Sequence, residues 1–326
     1  MPGLLTHYLF GEDIIDQIPD NTLKNILNNN RHAYDYGLQG PDLFFYDLVH
    51  LSMNHGSNLG SLLHEEHTSR FLTYMLLAAN KLSNQQDKEI AIAYICGFIG
   101  HYSLDTHAHP YVYYMTDTND YASYPKSKCM SDHIEFEGEI EVLLFDDRYH
   151  IPAHKLRRKA FMHLSAREMT TIAKVLSYSL KRTYGIKIPP YKIKGTIIRS
   201  TLVNRLLQDR TGIKKMFLHN VEKNTYGYYL ASGMIFQYRL PKDRSVLNEN
   251  HREWYCPVTC QKRTDSFMDL YKSGLLFNLS VFKAVNKYLE HDISLKQLSR
   301  RFGNLSYHTG TPCDGDCKMK YFKKTM

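Results

Sequence analysis

Apolar residues recur at three- and four-residue intervals along most of the chain, the spacing of helices that each bury one face. The stretches "LFGEDIIDQI" (9–18), "TSRFLTYMLLAANKL" (68–82) and "DHIEFEGEIEVLLFDDRY" (132–149) follow this pattern, and Thr68 or Ser69 is the expected N-cap of the second. "KEIAIAYICGFIGHYSL" (88–104) is apolar on nearly every side, which predicts a central, buried helix. Further on, "LSAREMTTIAKVLSYSLKRTYG" ends on Gly185, a suitable helix terminator, and "DSFMDLYKSGLLFNLSVFKAVNKYLEH" predicts a long helix from about Asp265. "SLKQLSRRF" (294–302) predicts a short one. Loops are expected at 39–42, 54–61, 109–128 and 185–195, where Gly, Pro, Asn and Ser gather. There is no alternating strand pattern, internal repeat or low-complexity tract. The expectation is an all-α fold, with residues 1–326 forming a single multi-helix domain.

Charge divides this domain in two. Residues 1–154 hold 8 Lys and Arg against 21 Asp and Glu, a balance of −13, and 12 of the 17 histidines. Residues 155–326 hold 33 against 12, a balance of +21. An acidic, histidine-rich half (about 1–150) suits cations, and a basic helical half (about 151–326) suits phosphate, nucleic acid or an anionic surface. His7 and Glu12 interrupt any leader-like apolar run, and no continuous apolar stretch of about 18 residues occurs. A cytoplasmic, non-spanning protein with reduced cysteines is therefore expected. Cys256 with Cys260 and Cys313 with Cys317 have C-x3-C spacing, where zinc ribbons use C-x2-C; a four-cysteine structural site is an alternative use of them.

The chemistry concentrates at "GHYSLDTHAHPY" (100–111), where His101 and Asp105 are one helical turn apart and His109 follows four residues on, near where Pro110 should end the helix. Burying these groups at the end of an apolar helix without partners would cost several kcal/mol, and a metal ion would offset that. The spacing recurs in His133 and Glu137, and His7, Asp42 after Pro41, and the pair His64 and His67 are further candidates. A lone core histidine is usually a hydrogen-bonded packing residue. The combination of these groups, not any one of them, points to a metal centre of oxygen and nitrogen ligands.

The order of an N-terminal His, a Pro-Asp pair, His, G-H-x3-D-x3-H and H-x3-E resembles the zinc-dependent phospholipase C family, whose relatives include the amino-terminal domain of glycosylphosphatidylinositol-specific phospholipase D and, more distantly, the S1/P1-type single-strand nucleases. The resemblance runs from residue 1 to about 141. It implies an all-α fold around a cleft with two to three zinc ions. One ion would be held by Asp42, His64, His101 and Asp105, a second by His109, His133 and Glu137, and a third by His7 and a bridging Asp105. Secreted members give the third ion an N-terminal Trp. Here the only Trp is Trp254, and the Pro2 amine, freed by removal of Met1, is the available substitute. His67 remains an alternative to His64, and His107 to His109.

The implied activity is phosphodiester hydrolysis of the phospholipase C type on a phospholipid or related diester, with peripheral membrane contact. Close zinc ions lower the pKa of a bridging water to around 7 and neutralise diester charge. Asp42 would act as ligand and as proton acceptor from the attacking water, and cations of the basic half would hold a phosphate oxygen. The alternatives are an S1/P1-type nuclease, in which the tyrosine-rich basic half stacks bases, and a non-catalytic zinc-binding protein.

Overall fold

The computed structural model describes residues 3–46, 58–158 and 161–324. Twelve α-helices run in order through these residues: α1 (Leu4–Gln17), α2 (Thr22–Asn29), α3 (Arg31–Gly37), α4 (Leu59–Glu65), α5 (Thr68–Asn80), α6 (Gln85–Thr116), α7 (Lys126–Tyr149), α8 (Ala166–Tyr184), α9 (Pro190–Leu206), α10 (Ile213–Thr225), α11 (Phe267–Leu289) and α12 (Leu295–Ser299). Among the described residues the only sheet is a two-stranded ribbon pairing Trp254–Tyr255 with Lys262–Arg263. The fold is all-α, as the apolar spacing predicts.

α6 is the axis. α1, α2, α3, α5, α7, α8 and α11 all pack against it, which is why its sequence is apolar on every side. Its closest neighbour is α3: a side chain at Gly97 would collide with the Tyr34 carbonyl and lie 2.8 Å from the Gly37 Cα, so the two backbones meet glycine to glycine. That contact brings the chain after α3, including the 3-10 turn Gly40–Tyr46, down onto the ligand-bearing end of α6.

α6 does not stop at Pro110. It continues to Thr116 with the proline inside, so the expected loop at 109–128 shrinks to the nine residues between α6 and α7. Pro110 lacks the N–H that would bond the Thr106 carbonyl. Gly310, at φ +64°, places its backbone against that carbonyl, where any side chain would clash. Pro190 likewise does not prolong the 185–195 loop; it occupies the first turn of α9, where a missing N–H costs nothing. Neither expected residue caps α5. Its N-cap is His67, in left-handed conformation, while the Thr68 hydroxyl donates to the Leu305 carbonyl and that of Ser69 to the Ser299 carbonyl. Part of the expected loop at 54–61 and the Pro2 amine lie outside the described residues.

Candidate metal centre

The i, i+4, i+8 spacing of His101, Asp105 and His109 survives because α6 is unbroken through Pro110, so all three project from one face. α7 crosses beside them and contributes His133 and Glu137, again one turn apart. α1 supplies His7, the 3-10 turn supplies Asp42, and His64 lies near the end of α4. α1 is fixed by the Glu141 carboxylate of α7, which accepts from the Leu5 N–H at 3.1 Å, and by a bidentate Arg148–Asp13 pair at 2.6 Å.

All eight side chains are buried and converge. Their ligand atoms fall into three groups, each within 4.8 Å of one another: His7 with His101 and Asp105; Asp42 with His64 and His101; His109 with His133 and Glu137. Asp105 links them. Its Oδ1 lies 3.2 Å from His7 Nε2, and its Oδ2 lies 2.9 Å from His101 Nε2, 3.5 Å from His109 Nδ1 and 4.0 Å from His64 Nε2. Asp42 Oδ1 is 3.3 Å from His64 Nε2, and Glu137 Oε1 is 2.9 Å from His133 Nε2 and 3.3 Å from His109 Nε2. His67 is exposed beside Tyr184, and His107 turns away to the Ser103 carbonyl and the Phe277 ring.

Three imidazoles are held by backbone carbonyls on their other nitrogen. Nδ1 of His64 meets the Gly60 carbonyl at 2.7 Å, that of His101 the Leu38 carbonyl at 3.0 Å, and that of His109 the Tyr307 carbonyl at 2.9 Å. A carbonyl only accepts, so each Nδ1 carries the proton and each Nε2 turns a lone pair into the cluster. Lone pairs then face the carboxylates of Asp42 and Asp105. Buried with no hydrogen bond are Asp42 Oδ1, both Asp105 oxygens, both His7 nitrogens, and Nε2 of His101 and His109. Such an arrangement of acceptors against acceptors is costly unless a cation sits among them. Nitrogen and carboxylate donors in groups of three are the ligand chemistry of zinc.

Electrostatics inside the cluster follow from this crowding. Burial would raise the Asp105 pKa, but His101, His109 and His7 hold it well below the ordinary carboxylate range. Burial likewise opposes ionisation of Glu137, and His133 and His109 together hold its pKa below the ordinary carboxylate range. Burial lowers His101 and His109, but Asp105 together with Asp42 and the Leu38 carbonyl, and Asp105 together with Glu137, respectively, raise them more, so both end above the usual imidazole value. His7 and His133 end below it, burial winning. Glu141, one turn beyond Glu137, is pushed up to about 7 by burial despite nearby Arg158.

Three contributors carry no signal in the sequence. Tyr307 places its carbonyl on His109 and its N–H on the His64 carbonyl at 2.9 Å. His308 stacks on His64, with centroids 5.0 Å apart, and pairs with Glu65 at 3.3 Å. Tyr113 edges His109, His133 and His308. Nothing in the spacing of "SYHTG" (306–310) points toward a site some two hundred residues upstream. The cysteines form no part of any ligand group among the described residues, and all six are free thiols. Trp254 is buried and donates to the Asp265 carbonyl.

The family model of zinc-dependent phospholipase C matches residues 6–185, more than half of the chain and all eight converging side chains. The chain belongs to the zinc-dependent phospholipase C family. Comparison with curated proteins and with solved structures gives no significant match. Membership in this phospholipase C family supports an enzyme of the zinc-dependent phosphodiesterase type, and the buried His, Asp and Glu groups fit zinc.

Proposed function

We propose that the chain hydrolyses a phospholipid, or a closely related phosphodiester, by phospholipase C chemistry at a centre of three zinc ions. The observation that carries this reading is the set of buried lone pairs and carboxylate oxygens that face one another in three linked groups. Asp42, His64, His101 and Asp105 would hold one ion; His109, His133 and Glu137 a second; His7 and Asp105 a third. Bound zinc supplies Lewis-acid activation of water and neutralisation of the diester's charge.

The chain's own residues do the rest. Asp42 Oδ1, buried and without a hydrogen bond, accepts the proton of the attacking water. The water oxygen forms the new bond to phosphorus, the bond from phosphorus to the glycerol oxygen breaks, and the departing diacylglycerol oxygen takes a proton from solvent. The carbonyls of Leu38, Gly60 and Tyr307 keep three imidazoles in the tautomer this requires. Tyr113 and His308 border the second group.

The test is hydrolysis of a panel of choline, ethanolamine, serine and inositol phospholipids, with single-stranded DNA as comparison. Release of a phosphorylated headgroup that is lost on chelation and recovered with zinc is expected. Cleavage of DNA alone, or lipid hydrolysis indifferent to chelator, contradicts the reading.

A further inference from the structure

Outside the metal centre, one surface departs from the rest of the molecule. Of the sixteen large hydrophobic side chains exposed among the described residues, eleven lie between Tyr191 and Leu240. They belong mainly to α9 and α10, beyond the residues that match the family.

α10 is amphipathic with its polar face inward. Lys215, His219 and Glu222, at helical spacing, anchor it to the segment 229–235. Lys215 Nζ donates to the carbonyls of Ser232 and Ile235 at 3.0 and 2.7 Å, His219 stacks on Tyr229, and Glu222 accepts from the N–H groups of Leu230, Ala231 and Ser232. The opposite face therefore points to solvent, with Ile213 63 % exposed, Met216 61 % and Phe217 65 %. α9 repeats the arrangement: Ile193, Ile197, Ser200 and Asn204 are buried, while Ile198, Leu202 and Leu206 stand outward. Lys214 Nζ donates to the carbonyls of Leu206 and Gln208, which ties the end of α9 to the start of α10.

The charge within this stretch is one-sided, and Glu135 of α7 lies beside Lys215 and Met216 at its inner edge. Residues 190–242 contain ten Lys and Arg and two acids, Asp209 and Glu222. Both acids are buried, Asp209 accepting from the N–H groups of Thr211, Gly212 and Lys215. Lys192, Arg205, Arg210, Lys223, Arg239 and Lys242 are exposed. From this stretch solvent meets apolar side chains and cations, and no carboxylate.

We propose that α9 and α10 form a docking platform for an anionic lipid surface. Protein partners deplete lysine at the core of their interfaces, whereas helices that lie in a membrane interface combine an apolar face with flanking Lys and Arg. No described helix is long and apolar enough to cross a membrane, so contact is peripheral. The 229–235 segment that anchors α10 is in turn bonded to α7, the helix of His133 and Glu137, where the Tyr229 N–H donates to Ser131 Oγ at 2.8 Å. The platform gives the proposed phosphodiesterase a way to its substrate; the choice of occupant rests on that reading, but binding is measurable without catalysis.

The experiment is co-sedimentation of the zinc-loaded protein with phosphatidylcholine vesicles, with and without phosphatidylserine, alongside hydrolysis of soluble bis-p-nitrophenyl phosphate. Binding is expected to the serine-containing vesicles and to weaken with added salt. Met216→Ser with Phe217→Ser, and separately Lys223→Gln with Arg239→Gln, should each lower the partition coefficient about tenfold or more, with circular dichroism and soluble-diester hydrolysis unchanged. Failure of the wild type to sediment, or variants that bind like it, overturns the proposal. So does a wild-type dimer in sedimentation velocity that the Met216→Ser, Phe217→Ser variant converts to monomer, since the face would then be a contact between copies. A wild type that binds vesicles but hydrolyses neither soluble diester nor lipid sinks the proposed activity and leaves the platform standing.

Discussion

Asp105 lies within reach of members of all three ligand groups. One of its oxygens faces His7 and the other faces His101, His64 and His109, and in the proposed centre it bridges more than one ion. Asp105→Asn keeps the shape but replaces an anionic oxygen with an amide that also brings donors. It should lower bound zinc by more than one ion and abolish diester hydrolysis, read by metal analysis and by turnover of a soluble diester. Asp117→Asn is the control. Asp117 closes α6, accepts from the Thr118 N–H at 2.8 Å and lies outside every ligand group, so zinc content and turnover should match wild type. Loss of a single ion in Asp105→Asn would assign the carboxylate to one site only.

At the scale of elements, the site depends on how closely α3 and α6 approach. Leu38, the residue after α3, holds His101 by its carbonyl, and the Gly37–Gly97 contact sets that separation. Gly97→Ala should overpack the crossing and cost about 1–3 kcal/mol, seen as a thermal midpoint lower by several degrees. Gly195→Ala, mid-helix in α9 with ordinary clearance, should be neutral or slightly stabilising because alanine favours helix. Equal midpoints for the two variants would refute a tight crossing. These elements also show what the sequence conveys. The helical spacing of His101 with Asp105 and of His133 with Glu137 is local, so it is readable wherever the helix is recognised. The continuation of α6 past Pro110 is not, because the backbone packed against it there is that of Gly310, far along the chain. α9 and α10 escaped a periodicity reading for the opposite reason: many of their apolar residues stand outward and basic ones interrupt them.

For the whole molecule, the acidic and basic halves of the sequence have different uses. The acidic half gathers eight buried ligand candidates from five separate elements, while the basic half exposes many of its cations. The last residues close the structure over the first ones: Tyr102 OH donates to the Phe302 carbonyl, Tyr307 bonds His64, and the Lys323 N–H bonds the Tyr114 carbonyl. These long-range contacts have no periodicity, so Tyr307 and His308 could not be placed at the site from spacing. The order of ligand types, by contrast, was legible through its resemblance to a family, and that family's model matches the chain.

The central claim is that these buried groups exist to hold zinc. Zinc per chain, measured by inductively coupled plasma mass spectrometry on protein purified without chelator, tests it most directly. The account predicts about three ions per chain, and loss of those ions with a large drop in thermal midpoint after chelation, because metal binding and folding are coupled. A well-folded protein that contains no zinc, takes up none when it is offered, and melts at the same temperature with and without chelator would contradict it.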